Sequence, residues 1–193
     1  MITHNGGLPS SWVKRFLPLI RGSGRVIDLA CGDGRHTQLL LSFGHQVLAL
    51  DKNEHSLSVL KSRFHATDLK NIEVKTIDLE TDIFALQETQ ERFSGLVVTN
   101  YLYRPHLGEW INLIQPGGVV IYETFAVGNE VYGKPSNPNF LLNQNELIGF
   151  FSISLGWSIV CFEQGKIDNP KPAVIQRICA VRSPAIGLQL LDE

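Results

Sequence analysis

The residues best suited to chemistry lie in a glycine-containing turn that follows the first strongly apolar run of the chain. The segment VIDLACGDGR, residues 26–35, carries Gly32 and Gly34 two positions apart, with Asp28 and Asp33 beside them. Glycine lets a ligand approach the backbone closely, and a helix that begins after such a turn offers unpaired N–H groups to an anionic group. The segment therefore predicts a ligand-binding turn between a strand and a helix.

The charges around this turn favour one class of ligand over another. A dinucleotide-binding turn would have Gly or Ala three residues after Gly34, where this chain has Thr37. Two carboxylates would repel a pyrophosphate, whereas they would attract a ligand that carries an ammonium and a sulfonium group. S-adenosylmethionine (SAM) carries both cations and one carboxylate, so the acidic turn favours SAM over a nicotinamide dinucleotide.

Two further acids follow the next two apolar runs, as binding of a nucleoside would require. Asp51 ends the run VLALD, where an acid can accept hydrogen bonds from both ribose hydroxyls. Asp78 lies in KTIDLE, where it can accept from an adenine amino group while Leu79 packs on the ring. The structural alternatives are a surface aspartate at a strand end for Asp51 and a helix N-cap for Asp78.

These motifs resemble those of the class I SAM-dependent methyltransferases, most closely the small bacterial methyltransferases of the tellurite-resistance type. DLACGDGRH is similar to the first motif of the family, LALD to the second and IDLE to the third, and the likeness extends over residues 25–181. The resemblance implies that Asp51 holds the ribose and that Asp78 and Leu79 hold the adenine. It also implies that the methionine end is held by Asp28 and by the backbone of Ala30, Cys31, Gly32, Asp33 and Gly34.

Residues after the fourth and fifth apolar runs are the candidates for the methyl-acceptor side, because ligands of open α/β sheets bind outside the carboxyl ends of the strands. Tyrosine rings there could contact a sulfonium, and Arg104 could bind an acidic group or pair with Glu109. Asn100 is assigned to the cofactor, and the absence of the prolines of an NPPY motif argues against nucleic-acid amines. The substrate-binding candidates are Tyr101, Tyr103, Arg104, His106, Glu123, Tyr132, Lys134 and Phe140.

A segment without an obvious regular element, residues 126–143, supplies three of these candidates. Such a long loop in a compact domain is usually a lid or a binding loop, and a structural wrap fixed by Pro135 and Pro138 is the alternative. Its aromatic and cationic side chains predict a small, flat, acidic acceptor. His106 and Glu123 are possible general bases, and no residue is identified as catalytic.

The elements that must position these groups alternate between β and α. Apolar runs predict strands at residues 25–30, 46–50, 72–77, 96–99 and 119–125, and helical spacing predicts helices at residues 36–43, 56–64, 108–114 and 145–151, after a short N-terminal helix opened by residues 9–11. Residues 157–162 and 174–181 predict an antiparallel hairpin. The order predicts an α/β, Rossmann-like three-layer sandwich with a mostly parallel sheet, and the resemblance implies seven strands with the last antiparallel.

Composition predicts one soluble domain spanning residues 1–193, with an N-terminal helix and lead-in at 1–24 and a core at 25–181. The formal net charge of −2 and the lack of a basic run argue against nucleic-acid and membrane partners. Three dispersed cysteines without a secretory signal predict a cytoplasmic protein, and no metal site is expected. The oligomeric state stays open. A non-catalytic SAM-binding protein and an NAD-dependent oxidoreductase are the alternative functions.

Overall fold

The alternating segments form seven strands and five α-helices in the part of the chain that the computed structural model describes, residues 7–21, 24–64, 68–82, 91–152 and 155–182. The strands are β1 Val26–Leu29, β2 Val47–Asp51, β3 Ile72–Thr76, β4 Phe93–Thr99, β5 Ile114–Phe125, β6 Trp157–Ile167 and β7 Ala173–Arg182. The helices are α1 Ser11–Phe16, α2 Arg35–Ser42, α3 Glu54–Ser62, α4 Arg104–Asn112 and α5 Glu146–Phe150. Short 3-10 turns occur at Leu17–Leu19, Asp68–Asn71, Asn129–Val131 and Pro138–Phe140.

The seven strands form one sheet in the order β3-β2-β1-β4-β5-β7-β6. The first five are parallel, and β7 is antiparallel to both of its neighbours, β5 and β6. This arrangement confirms the predicted fold class and the predicted terminal hairpin. The strand order reverses between β1 and β4, and open α/β sheets bind ligands in the crevice at the carboxyl ends of the strands at such a point.

Two apolar clusters cover the two faces of the sheet. One contains Trp110 of α4 and Leu147 of α5, and the other contains Trp12 of α1 and Leu60 of α3. Successive side chains of a strand point to opposite faces. All four residues of β1 are therefore buried, because helices cover both of its faces. None of the helices in the described ranges is long and apolar enough to cross a membrane.

The structure moves several predicted boundaries. Helix α4 begins at Arg104 rather than near residue 108. Pro105 is tolerated in its first turn because proline lacks a backbone N–H, and the first N–H groups of a helix have no partner within the helix. Ile114, predicted as the end of that helix, is the first residue of β5. Strand β6, predicted to end at residue 162, continues to Ile167. The periodic pattern alone could not separate a helix end from a strand start that follows it directly.

Candidate active site

The turn between β1 and α2 has a backbone conformation that most residues avoid. Ala30, Gly32 and Gly34 have φ values of 55°, 55° and 81°. A Cβ atom on Gly34 would lie 2.6 Å from the Leu60 side chain, so that glycine is required for packing against α3. A Cβ atom on Gly32 would meet nothing within 4 Å. Gly32 therefore leaves open space beside the turn, where a ligand can approach the backbone.

Asp51 at the end of β2 holds the turn in place. Its Oδ2 accepts a hydrogen bond from the Gly32 N–H at 2.8 Å, and its Oδ1 accepts from the Asn53 N–H at 2.8 Å. The Cys31 N–H donates to the Leu50 carbonyl at 2.9 Å, which ties the same turn to β2 a second time. A carboxylate oxygen can accept more than one hydrogen bond, so Asp51 retains the capacity to accept from two ligand hydroxyls.

A cleft opens beside Asp51, at the carboxyl ends of β1 to β4. It is lined by Ala30, Asp51, Lys52, Ile77, Asp78, Leu79 and Tyr101. Ile77 and Leu79 are almost fully buried and form an apolar wall, whereas the carboxylates lie at the rim. The cleft thus brings together four of the residues predicted to bind the cofactor, from three different strands.

Asp78 accepts a hydrogen bond as a capping residue does and also borders the cleft. Its Oδ1 accepts from the Glu80 N–H at 3.0 Å, as the side chain of a capping residue does. Its Oδ2 lies 3.6 Å from Nζ of Lys52, which is itself exposed. Since the Lys52 contact is long and exposed, Oδ2 can exchange it for a hydrogen bond from a ligand amino group.

The two acids of the glycine turn do not present their charges as predicted. Asp28 is only 2% exposed, accepts a hydrogen bond from Thr37 Oγ1 at 2.5 Å, and burial, together with the charge on Asp51, raises its pKa to about 7. The Asp33 carboxylate is paired with Arg63 at 2.7 Å, which neutralises its charge. Negative charge beside the cleft therefore comes mainly from Asp51 and the acids after β3. This corrects the electrostatic reasoning based on Asp28 and Asp33.

The side chains of the residues after β4 do not all contact the same region: some lie at the cleft and others pack around helix α4. Asn100 is exposed, with a φ of 56°, and its N–H donates to the Glu123 carbonyl at 3.0 Å. Tyr101 turns into the cleft, whereas the Tyr103 ring lies 5.1 Å from the His106 ring. His106 Nε2 lies 3.2 Å from the Glu80 carbonyl oxygen, so that histidine contacts the segment after β3.

Arg104 does not face a ligand. Its guanidinium donates to both carboxylate oxygens of Glu146, at 2.6 and 2.9 Å, and to the carbonyls of Asn139 at 2.8 Å and Leu141 at 2.6 Å. Four of the contacts a guanidinium fork can make are thereby used. The structure contradicts the predicted recognition of an acidic acceptor by Arg104, and the partner is Glu146 rather than Glu109.

Glu123 is also committed to contacts within the protein. Its Oε1 accepts from Ser10 Oγ at 2.8 Å, and its Oε2 accepts from Arg177 at 3.2 Å. Arg177 also pairs with Glu163, and its guanidinium lies 4.6 Å from the centre of the Trp12 ring. Both carboxylate oxygens of Glu123 are therefore occupied by donors of the protein, so the structure argues against Glu123 as the general base.

The loop at residues 126–143 is braced rather than open. The Leu142 N–H donates to the Phe125 carbonyl at 2.9 Å, which closes the loop at its base. Asn129, almost fully buried, donates to the Pro135 carbonyl at 3.0 Å and accepts from the Val174 N–H at 3.2 Å. These bonds support the structural-wrap alternative.

The three candidate residues of this loop are exposed, and none of them lines the cleft. The Tyr132 ring lies 5.8 Å from Nζ of Lys166 on β6, toward the terminal hairpin. Phe140 is 47% exposed, beside the Asn139 carbonyl that Arg104 holds. Lys134 is exposed as well. The structure therefore brings Phe140 close to the end of β4 but directs Tyr132 away from it.

The sequence analysis did not predict the contacts that residues 8–10, just before α1, make with the start of α2, which in turn contacts the end of β4. The Ser10 N–H donates to His36 Nε2 at 3.1 Å, and His36 Nδ1 lies 3.3 Å from Thr99 Oγ1. Arg35 donates to the Leu8 carbonyl at 3.1 Å. Burial lowers the pKa of His36 to about 3, so its ring is neutral and Nε2 can accept. The Arg-His pair that directly follows Gly34 is the signal that could have found this contact.

Comparisons with known proteins agree with this geometry. The family model described as tellurite resistance protein TehB matches residues 13–165. The probable S-adenosyl-L-methionine-dependent methyltransferase TehB of Haemophilus influenzae (strain 10810) is 28% identical over 91 residues, which is 47% of this chain and 31% of that protein.

Three solved structures show the same fold. The crystal structure of TehB from Haemophilus influenzae has a TM-score of 0.68 at 20% identity, covering 94% of this chain and 64% of that one. A putative methyltransferase from Listeria monocytogenes has a TM-score of 0.68 at 14% identity, covering 89% and 96%. The glycopeptide N-methyltransferase MtfA complexed with sinefungin has a TM-score of 0.63 at 16% identity, covering 93% and 96%. This chain spans less than two thirds of either TehB protein.

Proposed function

Because the chain belongs to the TehB family, whose model matches residues 13–165, we propose that it binds SAM and transfers the methyl group to a small-molecule acceptor. One observation carries this proposal. The Asp51 carboxylate joins the glycine turn to the start of α3 at the edge of a cleft that also contains Asp78 and the apolar wall of Leu79. An acid for the ribose, an acid for the adenine amino group and an apolar surface for the ring thus line one cleft.

The residues present fit this cofactor on chemical grounds. The turn leaves open space at Gly32 for close approach to the backbone, and the acids beside the cleft attract a cationic ligand. When bound, SAM supplies an electrophilic methyl group on a sulfonium. The chain contributes position: the turn is fixed by Asp51, and the start of α2 is fixed to β4 through His36 and Thr99. Holding two reactants in line can supply much of the acceleration of a transfer reaction.

The contacts that the candidate acceptor-side residues already make within the protein limit the kind of methyl acceptor that we propose. Glu123 and Arg104 make ion pairs within the protein, and the ring nitrogens of His106 lie 3.2 Å from the Glu80 carbonyl oxygen and 2.9 Å from Glu109 Oε2. The two candidate bases and the candidate cation are thus all in contact with other groups of the protein. We therefore favour an acceptor atom whose lone pair is available without proton removal. The proposed organisation is one methyltransferase domain with its core at residues 25–181, located in the cytoplasm. A glycopeptide methyltransferase among the structural neighbours keeps larger acceptors among the outcomes of the test.

The test measures binding before turnover. Isothermal titration with S-adenosylhomocysteine (SAH) and with NAD⁺ should show binding of SAH alone. Asp51→Ala should weaken SAH binding by about 2–3 kcal/mol, which corresponds to two hydrogen bonds of roughly 1–1.5 kcal/mol each. Glu54→Ala, an exposed acid in the first turn of α3, is the control and should bind SAH normally. Tight NAD⁺ binding, or unchanged SAH affinity in folded Asp51→Ala, would contradict the proposal.

Turnover then separates an enzyme from a SAM-binding protein without catalytic activity. SAH release should be measured with a panel of acceptors that contains small molecules and a glycopeptide, with Asp51→Ala as the control for cofactor-dependent turnover. SAH formation that depends on an acceptor supports the methyltransferase. Binding of SAH without turnover of any acceptor supports the non-catalytic alternative.

A further inference from the structure

Tyr101 lies in the cleft rather than on the acceptor side where the sequence placed it. It follows β4 by two residues and lines the same cleft as Ala30, Asp51 and Asp78. Its backbone is fixed, since the hydroxyl of the fully buried Tyr122 donates to the Tyr101 carbonyl at 2.7 Å. Its ring lies 5.6 Å from that of Trp110 on α4, so the side chain is supported from behind.

The hydroxyl of Tyr101 is buried and has no hydrogen-bond partner. Among the described residues, His106 Nδ1 and Glu109 Oε2 lie 2.9 Å from each other, which leaves Tyr101 Oη and Trp110 Nε1 as the buried side-chain polar atoms without a partner. Buried polar groups are nearly always hydrogen-bonded, because an unmade bond costs the full desolvation of the group. Tyr101 lines the cleft, so its unpaired hydroxyl is a candidate partner for a ligand that fills the cleft.

The surrounding charges determine which role the hydroxyl can take. Burial, and then the carboxylates of Glu80 and Asp78, raise the pKa of Tyr101 well above its usual value, so the hydroxyl keeps its proton. A protonated phenol can donate to a ring nitrogen or an oxygen of a ligand. The neighbouring carboxylates can only accept, so the cleft offers a nucleoside both kinds of partner.

We propose that Tyr101 is a cofactor-binding residue, whose hydroxyl donates a hydrogen bond to the adenosine portion of the cofactor. This inference rests on the proposed function, because it takes the cleft to be the adenosine site. It replaces the predicted acceptor-side role of Tyr101. It also assigns to β4, and not only to β2 and β3, a direct part in recognition of the nucleoside.

The test uses Tyr101→Phe, which removes one oxygen and keeps the ring. Titration with SAH and with 5′-methylthioadenosine, which lacks the amino-acid part, should show about five- to tenfold weaker binding of both ligands, the loss expected for one hydrogen bond. Without ligand, the variant should unfold at the same or a higher temperature than the parent, because the removed hydroxyl has no partner in the protein. Tyr132→Phe, an exposed tyrosine near Lys166, is the matched control and should bind both ligands normally.

Each other outcome has a distinct meaning. Affinities of Tyr101→Phe within twofold of the parent for both ligands would overturn the inference, as would a lower unfolding temperature without ligand. If Asp51→Ala loses affinity while Tyr101→Phe does not, only this inference fails. If the parent protein binds neither ligand, the proposed function fails and this inference fails with it.

Discussion

Two ends of the same sheet edge use their polar residues in opposite ways. At the β1–β3 end, which comprises residues 30–34, 51–53 and 77–80, the Asp51 and Asp78 carboxylates accept from backbone N–H groups and border an open cleft, although Asp33 there pairs with Arg63 and Asp78 also has a long contact with Lys52. At the β4–β5 end, which comprises residues 100–106, 123 and 126–143, the ionic groups are matched with other side chains. Arg104 pairs with Glu146, and Glu123 pairs with Arg177.

The difference shows that a charged residue at the carboxyl end of a strand is not by itself a ligand-binding residue. The nature of its partner decides whether such a residue can bind a ligand. A carboxylate bonded to a backbone N–H keeps lone pairs for a ligand, whereas a residue in an ion pair has its charge neutralised by the other side chain. The first arrangement builds a site and the second holds a loop. Substitution of Asp51 or of the glycine turn should therefore change ligand affinity, whereas substitution of the paired ionic residues Arg104 and Glu123 should change stability.

The largest effect is expected for Gly32→Val at the β1–β3 end. A branched side chain at a φ of 55° would project into the space beside the turn, so SAH affinity should fall by more than about 100-fold. Gly44→Val is the control, because Gly44 also has a positive φ and open space around it but lies at the far end of α2. It should share the cost in stability and keep SAH binding, as measured by titration calorimetry. Normal SAH binding by folded Gly32→Val would place the site elsewhere.

The next effect concerns the pH dependence of stability, to which two buried groups make opposite contributions. Asp28 has a raised pKa, about 7 against an unfolded value of 3.8, so it makes unfolding easier as pH rises through that window. His36 has a lowered pKa, about 3 against 6.5, so it makes unfolding harder as pH rises through that window. Between about pH 4 and 6.5 the two contributions cancel in the parent protein.

Removing either group should reveal the other. In Asp28→Asn the free energy of unfolding should increase as pH rises from 4 to 6.5, by about 3 kcal/mol at most, since one proton contributes roughly 1.4 kcal/mol per pH unit. His36→Gln should lose stability over the same range. Urea unfolding at several pH values measures both slopes, and parallel curves for the parent and both variants would show that neither group titrates as described.

At the β4–β5 end, Arg104→Met should lower the free energy of unfolding by about 2–3 kcal/mol, because Glu146 is left largely buried without its cation. SAH affinity should stay within twofold of the parent value. Lys134→Met, which removes an exposed cation from the same region, should change neither quantity. A large loss of SAH affinity in Arg104→Met would break the distinction between the two ends.

The smallest effect is expected for Ser10→Ala. Ser10 accepts from the Trp12 N–H as the cap of α1 and donates to Glu123, so its removal should cost about 1–2 kcal/mol of stability. Ser11→Ala, one residue later and exposed, should cost little. Denaturant unfolding compares the two variants. An equal loss in both would mean that the contact between Ser10 and Glu123 contributes nothing.

The sequence predicted the β1–β3 end better than the β4–β5 end for a physical reason. The contacts that place Asp51 and Asp78 join groups at the carboxyl ends of adjacent parallel strands, and the alternating pattern predicts a mostly parallel sheet. The partners of Arg104 and Glu123 lie 42 and 54 residues away, and no periodicity indicates such pairs. His36 was overlooked because its neutrality comes from burial, which a single histidine in a sequence does not reveal.

The position of β7 has a consequence for how the chain assembles as it is synthesised. This strand is made after β6 but lies between β5 and β6 in the sheet. During vectorial synthesis, β6 emerges from the ribosome with no neighbour to pair with, and both of its edges stay exposed until residues 173–182 follow. The first five strands can pair as they emerge, in keeping with the tendency of domains to fold from the N-terminus. Closure of the sheet is thus one late event, in which a single strand satisfies two open edges at once.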